Sequence, residues 1–254
     1  MTGKTKPYQY RITQLTNLKK GMMAMEKEMS TAVYNDLARE DFVSMMYELH
    51  PLYAEIDEAL ANLKTWMKEK SVDTSLALGP AKSAIVQEPL GVIGVMGSWN
   101  FPYAVTLGPA IAAMAAGNAI VIKPSEMAPF SAKVMKSLFA RHLDSNAYQC
   151  VNGQVQTAIR FSQSLFDKII MTGSTQKGKL IAEAAGKNLV PCILELGGKC
   201  PVVVDKGTNI DFTANKIATT AFANSGQLCI RCDYVLIDHT LVNQFVTALK
   251  EKMD

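Results

Sequence analysis

The feature that most constrains the fold is an alternation of short apolar runs with helical stretches, which begins after residue 83. The apolar runs lie at 91–96, 119–122, 148–151, 168–171 and 192–196. Helices are predicted between them at 103–116, 131–142, 155–164 and 175–185. This alternation is typical of a parallel sheet with helices on both faces. Because crossover connections share one hand, we predict a doubly wound α/β domain.

The chain before residue 70 is predicted to be helical. Apolar residues recur every three or four positions from Ile12 to Leu37 and again from Phe42 to Met67, as on one side of an amphipathic helix. Pro51 falls inside the second stretch and is expected to kink or restart that helix. The methionines of these stretches could form a partner-binding face, but core packing is favoured because Met fills irregular gaps.

Two other parts of the chain complete this prediction. The short run at 83–86 is expected to pair as a hairpin or edge strand. Toward the C-terminus, predicted strands at 201–204 and 234–237 alternate with predicted helices at 210–223 and 242–253.

The composition provides for a core and excludes several classes of protein. Of 254 residues, 48% are hydrophobic and 19% are charged, which excludes a disordered chain. A net charge of +3, with no basic block interleaved with aromatics, argues against nucleic-acid binding. The most apolar stretch, 108–122, is interrupted by Pro109 and Gly117, so no membrane segment is predicted. Five cysteines without a regular spacing, and no secretory signal, predict a reduced protein in the cytoplasm.

Two segments that follow predicted strands are candidates for ligand binding, because ligands of an open parallel sheet bind beyond the carboxyl ends of its strands. Segment 172–178 contains small residues and opens a helix, where backbone N–H groups attract phosphate. It lacks the full G-x-G-x-x-G pattern, and an ordinary tight turn is the alternative. Lys123 and Glu126 could bind ribose hydroxyls, and a solvated loop is the alternative for that pair.

Two further residues are candidates for catalysis. Glu195 is flanked by leucines. Because an ionised carboxylate is costly to bury, its pKa is expected to rise toward the range that suits a general base. A salt bridge to Lys199 is the alternative. Cys229 lies in a glycine-containing turn and is a candidate nucleophile, with an ordinary buried cysteine as the alternative. Cys229 and Cys232 could also form a redox pair. A zinc site would need two more ligands, so no metal is expected.

Five motifs follow one another along the chain: Gly-Ser-Trp-Asn-Phe-Pro at 97–102, Lys-Pro-Ser-Glu at 123–126, Thr-Gly-Ser-Thr at 172–175, Leu-Glu-Leu-Gly-Gly-Lys at 194–199 and Gly-Gln-Leu-Cys at 226–229. Together they resemble the aldehyde dehydrogenase superfamily, and within it the class 3 branch with its fatty and medium-chain aldehyde dehydrogenases. The resemblance extends over nearly the whole chain but over only the N-terminal half of the family's length.

The resemblance implies NAD(P)-dependent oxidation of an aldehyde to a carboxylic acid. Cys229 would attack the aldehyde carbonyl, and the Asn100 side-chain amide with the Cys229 N–H would hold the oxyanion. Hydride would leave to the nicotinamide, and Glu195 would activate the water that hydrolyses the resulting thioester.

The implied cofactor is NAD, with NADP as an alternative. Lys123 and Glu126 correspond to contacts with the adenosine ribose, where a carboxylate near the 2′ position would repel a 2′-phosphate. The remaining cofactor contacts are implied for a set of small residues and one aromatic: Gly173, Ser174, Thr175, Gly178 and Trp99.

The implied organisation is a Rossmann-like NAD(P)-binding domain over residues 1–190, helical over 1–70 and built on the sheet over 83–190. The start of an α/β catalytic domain follows over 191–254. The family's Glu-x-Phe motif, its oligomerisation strand and any membrane anchor are expected to be absent from this sequence. Lys177 and Arg231 depart from the family pattern, and Arg231 could either activate the thiol or obstruct the substrate tunnel.

Three functions remain open from the sequence. The first is an aldehyde dehydrogenase that acts on a small-molecule aldehyde and, at full length, forms a homo-oligomer. The second is a catalytically incomplete nucleotide-binding or scaffold subunit of a larger assembly. The third is a CoA-acylating relative, in which a thiol resolves the thioester, and the presence of Glu195 disfavours it.

Overall fold

The computed structural model describes residues 2–253. The chain divides into two compact units, of which the first ends at Glu195 and the second begins at Leu196. The predicted domain boundary after residue 190 stays a prediction. No helix within residues 2–253 combines the length and the apolar character that crossing a membrane requires.

The first unit opens with helices. They are α1 (Tyr8–Ala24), α2 (Glu26–Leu37), α3 (Asp41–Ser44), a π-helical turn (Met45–Leu49) and α4 (His50–Trp66). The stripe that predicts one helix to Leu37 is divided at Met25, whose φ of −108° and ψ of 10° depart from helical values. Pro51 lies in the first turn of α4, where its missing N–H is not needed, so the predicted restart is confirmed.

The methionines of the N-terminal helices belong to the core. Met22, Met25 and Met29 are at most 1% exposed and pack in one cluster with apolar residues of the sheet. The unbranched, flexible side chain of methionine is suited to filling the irregular gaps of such a core. Next along the chain, β1 (Lys70–Val72) and β2 (Ser83–Ile85) pair antiparallel, and a 3₁₀ turn (Leu76–Leu78) lies between them, which confirms the hairpin predicted for 83–86.

A parallel sheet forms the centre of the first unit. Its elements are β3 (Val92–Met96), α5 (Ala104–Ala115), β4 (Ala119–Lys123), α6 (Pro129–His142), β5 (Tyr148–Cys150), α7 (Val155–Ser162), β6 (Lys168–Thr172), α8 (Thr175–Gly186) and β7 (Cys192–Glu195). The strand order is β5-β4-β3-β6-β7 and every pairing is parallel. From β3 the chain adds β4 and then β5 on one side, and it then crosses to the other side of β3, where it adds β6 and then β7. With crossovers of one hand, this reversal places helices on both faces, and the predicted doubly wound sheet is confirmed.

The second unit is smaller. It contains β8 (Cys200–Val204), α9 (Ile210–Phe222), a 3₁₀ turn (Ala223–Gly226), β9 (Cys232–Ile237), another 3₁₀ turn (His239–Leu241) and α10 (Val242–Glu251). β8 and β9 pair in parallel as a two-stranded sheet. The strands and helices are those predicted, but burial of β8 alternates, and Val203 is 73% exposed because only one face of this sheet is covered in the described unit.

Candidate functional site

The carboxyl ends of four strands meet at one edge of the five-stranded sheet. Met96, the last residue of β3, is opposite Lys123 of β4 on one side and Met171 of β6 on the other. Thr172 of β6 is in turn opposite Glu195 of β7. The strand order reverses at β3, so this edge is the switch point at which open α/β sheets bind ligands.

At the end of β4, a buried ammonium is held beside a carboxylate. Lys123 is 2% exposed, and its Nζ donates hydrogen bonds to Glu126 Oε2 at 2.9 Å and to the Pro124 carbonyl at 3.1 Å. Burial is the largest single influence and acts to raise the pKa of Glu126. The hydrogen bond from Lys123, a backbone hydrogen bond and the charges of Lys123 and Lys177 together outweigh it, so the pKa lies below its usual range. A carboxylate kept ionised here is an acceptor suited to a diol.

At the end of β6, the chain turns directly into α8. Ser174 is the N-cap residue, and its Oγ accepts a hydrogen bond from the Lys177 N–H at 3.3 Å. Ser174 and Thr175 are exposed, whereas Gly178 is buried in the first turns of the helix. The predicted strand–turn–helix context of segment 172–178 is therefore present, on the opposite side of β3 from Lys123.

The loop after β3 carries Trp99 and Asn100, both partly exposed. Ser98 Oγ donates a hydrogen bond to Asn100 Oδ1 at 2.6 Å, which sets the rotation of the Asn100 side-chain amide. The loop passes into α5 within a few residues, so Asn100 lies close to the positive end of a helix.

Sequence reasoning missed an ion pair beneath this loop. Arg39 Nη1 lies 2.8 Å from Glu48 Oε1, and these side chains are 4% and 0% exposed. Glu48 Oε2 accepts hydrogen bonds from the N–H groups of Tyr103 at 3.1 Å and Ala104 at 2.7 Å. Arg39 also donates to the backbone carbonyl of Asn100.

The protonation of this pair reflects its burial. Burial raises the pKa of Glu48 to about 7, and the hydrogen bonds from the Ala104 amide and from Arg39 act in the opposite direction. Burial likewise lowers the pKa of Arg39. A charged residue within the apolar periodicity of 42–67 was the one sequence signal for Glu48, but the pattern alone cannot identify its partner.

Glu195 is the last residue of β7, and its backbone carbonyl accepts a hydrogen bond from the Gly173 N–H at 3.0 Å. Its side chain is exposed, so the burial expected from the flanking leucines is wrong. The physical reason is that Glu195 shares one face of the edge strand β7 with Ile193, and that face is poorly covered, since Ile193 is 49% exposed. The alternative of an ion pair with Lys199 is not found either, since Lys199 Nζ lies 3.1 Å from Asp233 Oδ2.

Cys229 belongs to the second unit and lies in the turn before β9, partly exposed. Its carbonyl oxygen is 3.5 Å from the Cys200 Sγ. Three consecutive residues upstream, Asn224, Ser225 and Gly226, have positive φ angles of 53°, 56° and 73°. Left-handed backbone at residues other than glycine is costly and occurs often at functional sites.

The other groups near this turn are engaged with one another. Arg231 Nη2 lies 2.6 Å from Asp233 Oδ1, so its charge is paired within the second unit.

All five cysteines, including Cys232, are free thiols. Among residues 2–253, no group of three or more His, Cys, Asp and Glu side chains is arranged to hold a metal ion.

A solvent-open groove of about 850 Å³ also lies in the first unit, between α4 and α5. Glu55 and Ala59 line one wall, and Gly108 and Ala112 line the other. The predicted site residues described above lie outside it, so the strand ends, with their buried charges, remain the better candidate.

The chain matches known proteins along nearly its whole length. The model of the aldehyde dehydrogenase family matches residues 3–254. Aldehyde dehydrogenase family 3 member I1 of Arabidopsis thaliana is 37% identical over all of this chain and 46% of its own length. A dimeric, NADP-preferring aldehyde dehydrogenase of Canis lupus familiaris is 37% identical over 99% of this chain and 56% of its own.

The fold matches as well. The solved structure of substrate-bound AldH from Staphylococcus aureus is 36% identical, with a TM-score of 0.96 over 99% of this chain and 55% of that one. The chain thus spans about half the length of the relatives that it matches. The sequence motifs, the sheet topology, the family model, the similar sequences and the similar solved structure all agree. The chain belongs to the aldehyde dehydrogenase family.

Proposed function

We propose that the protein oxidises an aldehyde to a carboxylic acid with NAD as the cofactor and NADP as an alternative. The observation that carries the proposal is the pair of ligand-binding features on either side of β3. One is the buried Lys123 held against Glu126, and the other is the Ser174-capped start of α8. A crevice at a switch point, with a diol acceptor on one side and a helix N-terminus on the other, suits a dinucleotide.

The residues present suit this cofactor by their chemistry. Glu126 would accept hydrogen bonds from the adenosine ribose, and Lys123 would hold it in place. The turn of Gly173, Ser174 and Thr175 would border the pyrophosphate. When bound, the nicotinamide supplies a hydride acceptor. The ionised Glu126 disfavours a 2′-phosphate by repulsion, whereas the relative named NADP-preferring supports the alternative cofactor. The same relative, from Canis lupus familiaris, is named as dimeric, which supports our prediction of a homo-oligomer.

The catalytic roles are proposed residue by residue. The Cys229 thiolate adds to the aldehyde carbonyl, which forms a thiohemiacetal and, after oxidation, a thioester. The Asn100 side-chain amide donates a hydrogen bond to the oxyanion, and removal of one such donor typically slows turnover about 10²- to 10³-fold. Glu195, exposed at the end of β7, accepts a proton from the water that hydrolyses the thioester.

The test combines binding and turnover on the purified protein. NAD and NADP affinities are measured by calorimetry, and reduction of each cofactor is followed by absorbance with a medium-chain aldehyde. Cys229→Ala is expected to abolish turnover and to retain cofactor binding. Cys192→Ala, which changes a partly exposed cysteine at the start of β7, is the matched control and should keep parental turnover.

Three outcomes would contradict the proposal. Cofactor binding without turnover in the parent protein would support a nucleotide-binding or scaffold role for this chain instead. Turnover that persists in Cys229→Ala would exclude the thioester route. Saturable CoA-dependent formation of an acyl-CoA would identify the acylating relative, in which Glu195 has no role.

A further inference from the structure

Beneath the Asn100 loop lies a buried ion pair that makes polar contacts with that loop and with the start of its helix. Glu48 uses one carboxylate oxygen for Arg39 and the other for the N–H groups of Tyr103 and Ala104. Arg39 uses a second nitrogen for the backbone carbonyl of Asn100. The two ends of a five-residue segment are thereby attached to one rigid pair.

Arg39 also contacts Phe101, which lies within the segment from Asn100 to Ala104. The guanidinium carbon of Arg39 lies 4.7 Å from the centre of the Phe101 ring, in a cation–π contact. Ser98 fixes the amide rotation of Asn100 through its hydrogen bond to Oδ1. The backbone and the side chain of Asn100 are therefore positioned by separate groups.

Stability alone does not account for such a pair. Two buried charges are costly to remove from water, and apolar residues of similar volume often give an equally stable core. Glu48 also lies in the π-helical turn Met45–Leu49, a rare departure from α-helix that is frequent at functional sites. The extra residue of that turn changes the direction in which Glu48 points relative to a regular helix.

We infer that Arg39 and Glu48 are positioning residues that hold the Asn100 loop in the geometry needed to stabilise an oxyanion. The inference rests on the proposed function, because it assigns Asn100 the role of hydrogen-bond donor. Neither residue touches the reacting atoms. Both act through the backbone of the loop, which places the Asn100 amide before the substrate arrives.

The principal test variant is the double substitution Arg39→Met with Glu48→Leu, which removes both charges and keeps most of the volume. We expect kcat to fall roughly 10- to 100-fold, since a misplacement of about 1 Å can cost that much. The affinity for NAD should stay within about twofold of the parent, because Lys123 and Ser174 are untouched.

Amide hydrogen exchange provides a readout that does not depend on activity. In the double variant, exchange should accelerate over residues 97–104 and remain parental over residues 172–178. A merely structural role would instead accelerate exchange across both segments. Asp57→Asn is the matched control, because it breaks an exposed ion pair with Lys19 in the same unit and should change neither readout.

Two milder variants keep the test decisive if the double variant does not fold. Glu48→Gln removes the charge with the same shape, and its exchange should rise over 97–104. Ser98→Ala removes the hydrogen bond to Asn100 Oδ1 and should lower kcat about threefold to tenfold, with parental exchange. If kcat and loop exchange are parental in Glu48→Gln, and also in the double variant where it folds, the inference is wrong. Absence of turnover in the parent would overturn the proposed function, while the exchange comparison would still decide whether the pair holds the loop.

Discussion

The central strand of the first unit and the first strand of the second unit make an instructive comparison. β3 is buried at four consecutive positions, Ile93 to Met96, because strands flank it on both sides and helices cover both faces. β8 is equally apolar in sequence, yet its burial alternates. A run of apolar residues therefore predicts a strand, but not how many faces of the strand are covered.

The difference separates two parts of the proposed chemistry. The candidate cofactor residues and Asn100 extend from a thick, well-packed layer, and their positions depend on many long-range contacts. Cys229 extends from a small unit whose core is built around one cluster of buried residues: Val204, Ile210, Ala214, Ile217, Cys232 and Phe245. We expect the cofactor side to be the more rigid of the two.

The largest predicted effect comes from equal truncations in the two strands. Val95→Ala in β3 removes a side chain that is 0% exposed, whereas Val203→Ala in β8 removes one that is 73% exposed. The first should lower the unfolding free energy by about 2–3 kcal/mol, and the second should change it by less than about 0.5 kcal/mol. Urea unfolding followed by far-ultraviolet circular dichroism measures both. Equal losses would show that the comparison of the strands is wrong.

A smaller effect is predicted for a glycine that contacts the Cys229 turn. A Cβ added at Gly198 would lie 2.6 Å from the backbone oxygen of Cys229, whereas one at Gly197 would meet no atom within 4 Å. Gly198→Ala should therefore cost roughly 1–2 kcal/mol and accelerate amide exchange over residues 227–231. Gly197→Ala is the control and should leave that exchange unchanged. If the two variants behave alike, this close approach does not hold the turn.

The smallest predicted effect concerns acid stability. A hydrogen bond from Lys4 is the largest cause that lowers the pKa of Asp144 to about 2, and Tyr10 Oη, at 2.9 Å, contributes as well. The folded pKa lies below the ordinary 3.8, so the stabilisation is present above pH 3.8 and is lost as the pH falls toward 2. Asp144→Asn should remove about 1 kcal/mol at neutral pH and flatten the acid dependence.

The measurement and its control again compare the two units. Both tryptophans, Trp66 and Trp99, belong to the first unit, so their fluorescence follows its unfolding, while far-ultraviolet circular dichroism also reports the helices of the second unit. In the second unit, hydrogen bonds from Thr240 are the main cause that lowers the pKa of Asp238. Because Thr240 is only two residues away, Asp238→Asn should have the smaller effect. A larger effect of Asp238→Asn would contradict the importance of long-range partners.

Much of the fold could be predicted because its signals are local. The five strands of the parallel sheet begin and end within a residue or two of the predicted runs, since apolar runs and helical periodicity depend on neighbouring residues. The restart at Pro51 followed from the geometry of proline. The division of the first helix at Met25 did not, because no proline or glycine marks that position.

The candidate site was predictable to the same extent. Strand-end positions of Lys123, Glu126 and the 172–178 turn follow from element order alone. The exposure of Glu195 did not follow, because it depends on β7 being at the edge of the sheet.

By itself, the sequence determined which segments form strands and helices, in what order, and therefore which residues occupy the strand ends. Only the tertiary structure decided which strand is central and which lies at an edge, and it alone paired Arg39 with Glu48 beneath the Asn100 loop. The physical reason is distance along the chain. Backbone propensity and periodicity act over a few residues, whereas burial and charge pairing depend on groups that folding brings together from far apart.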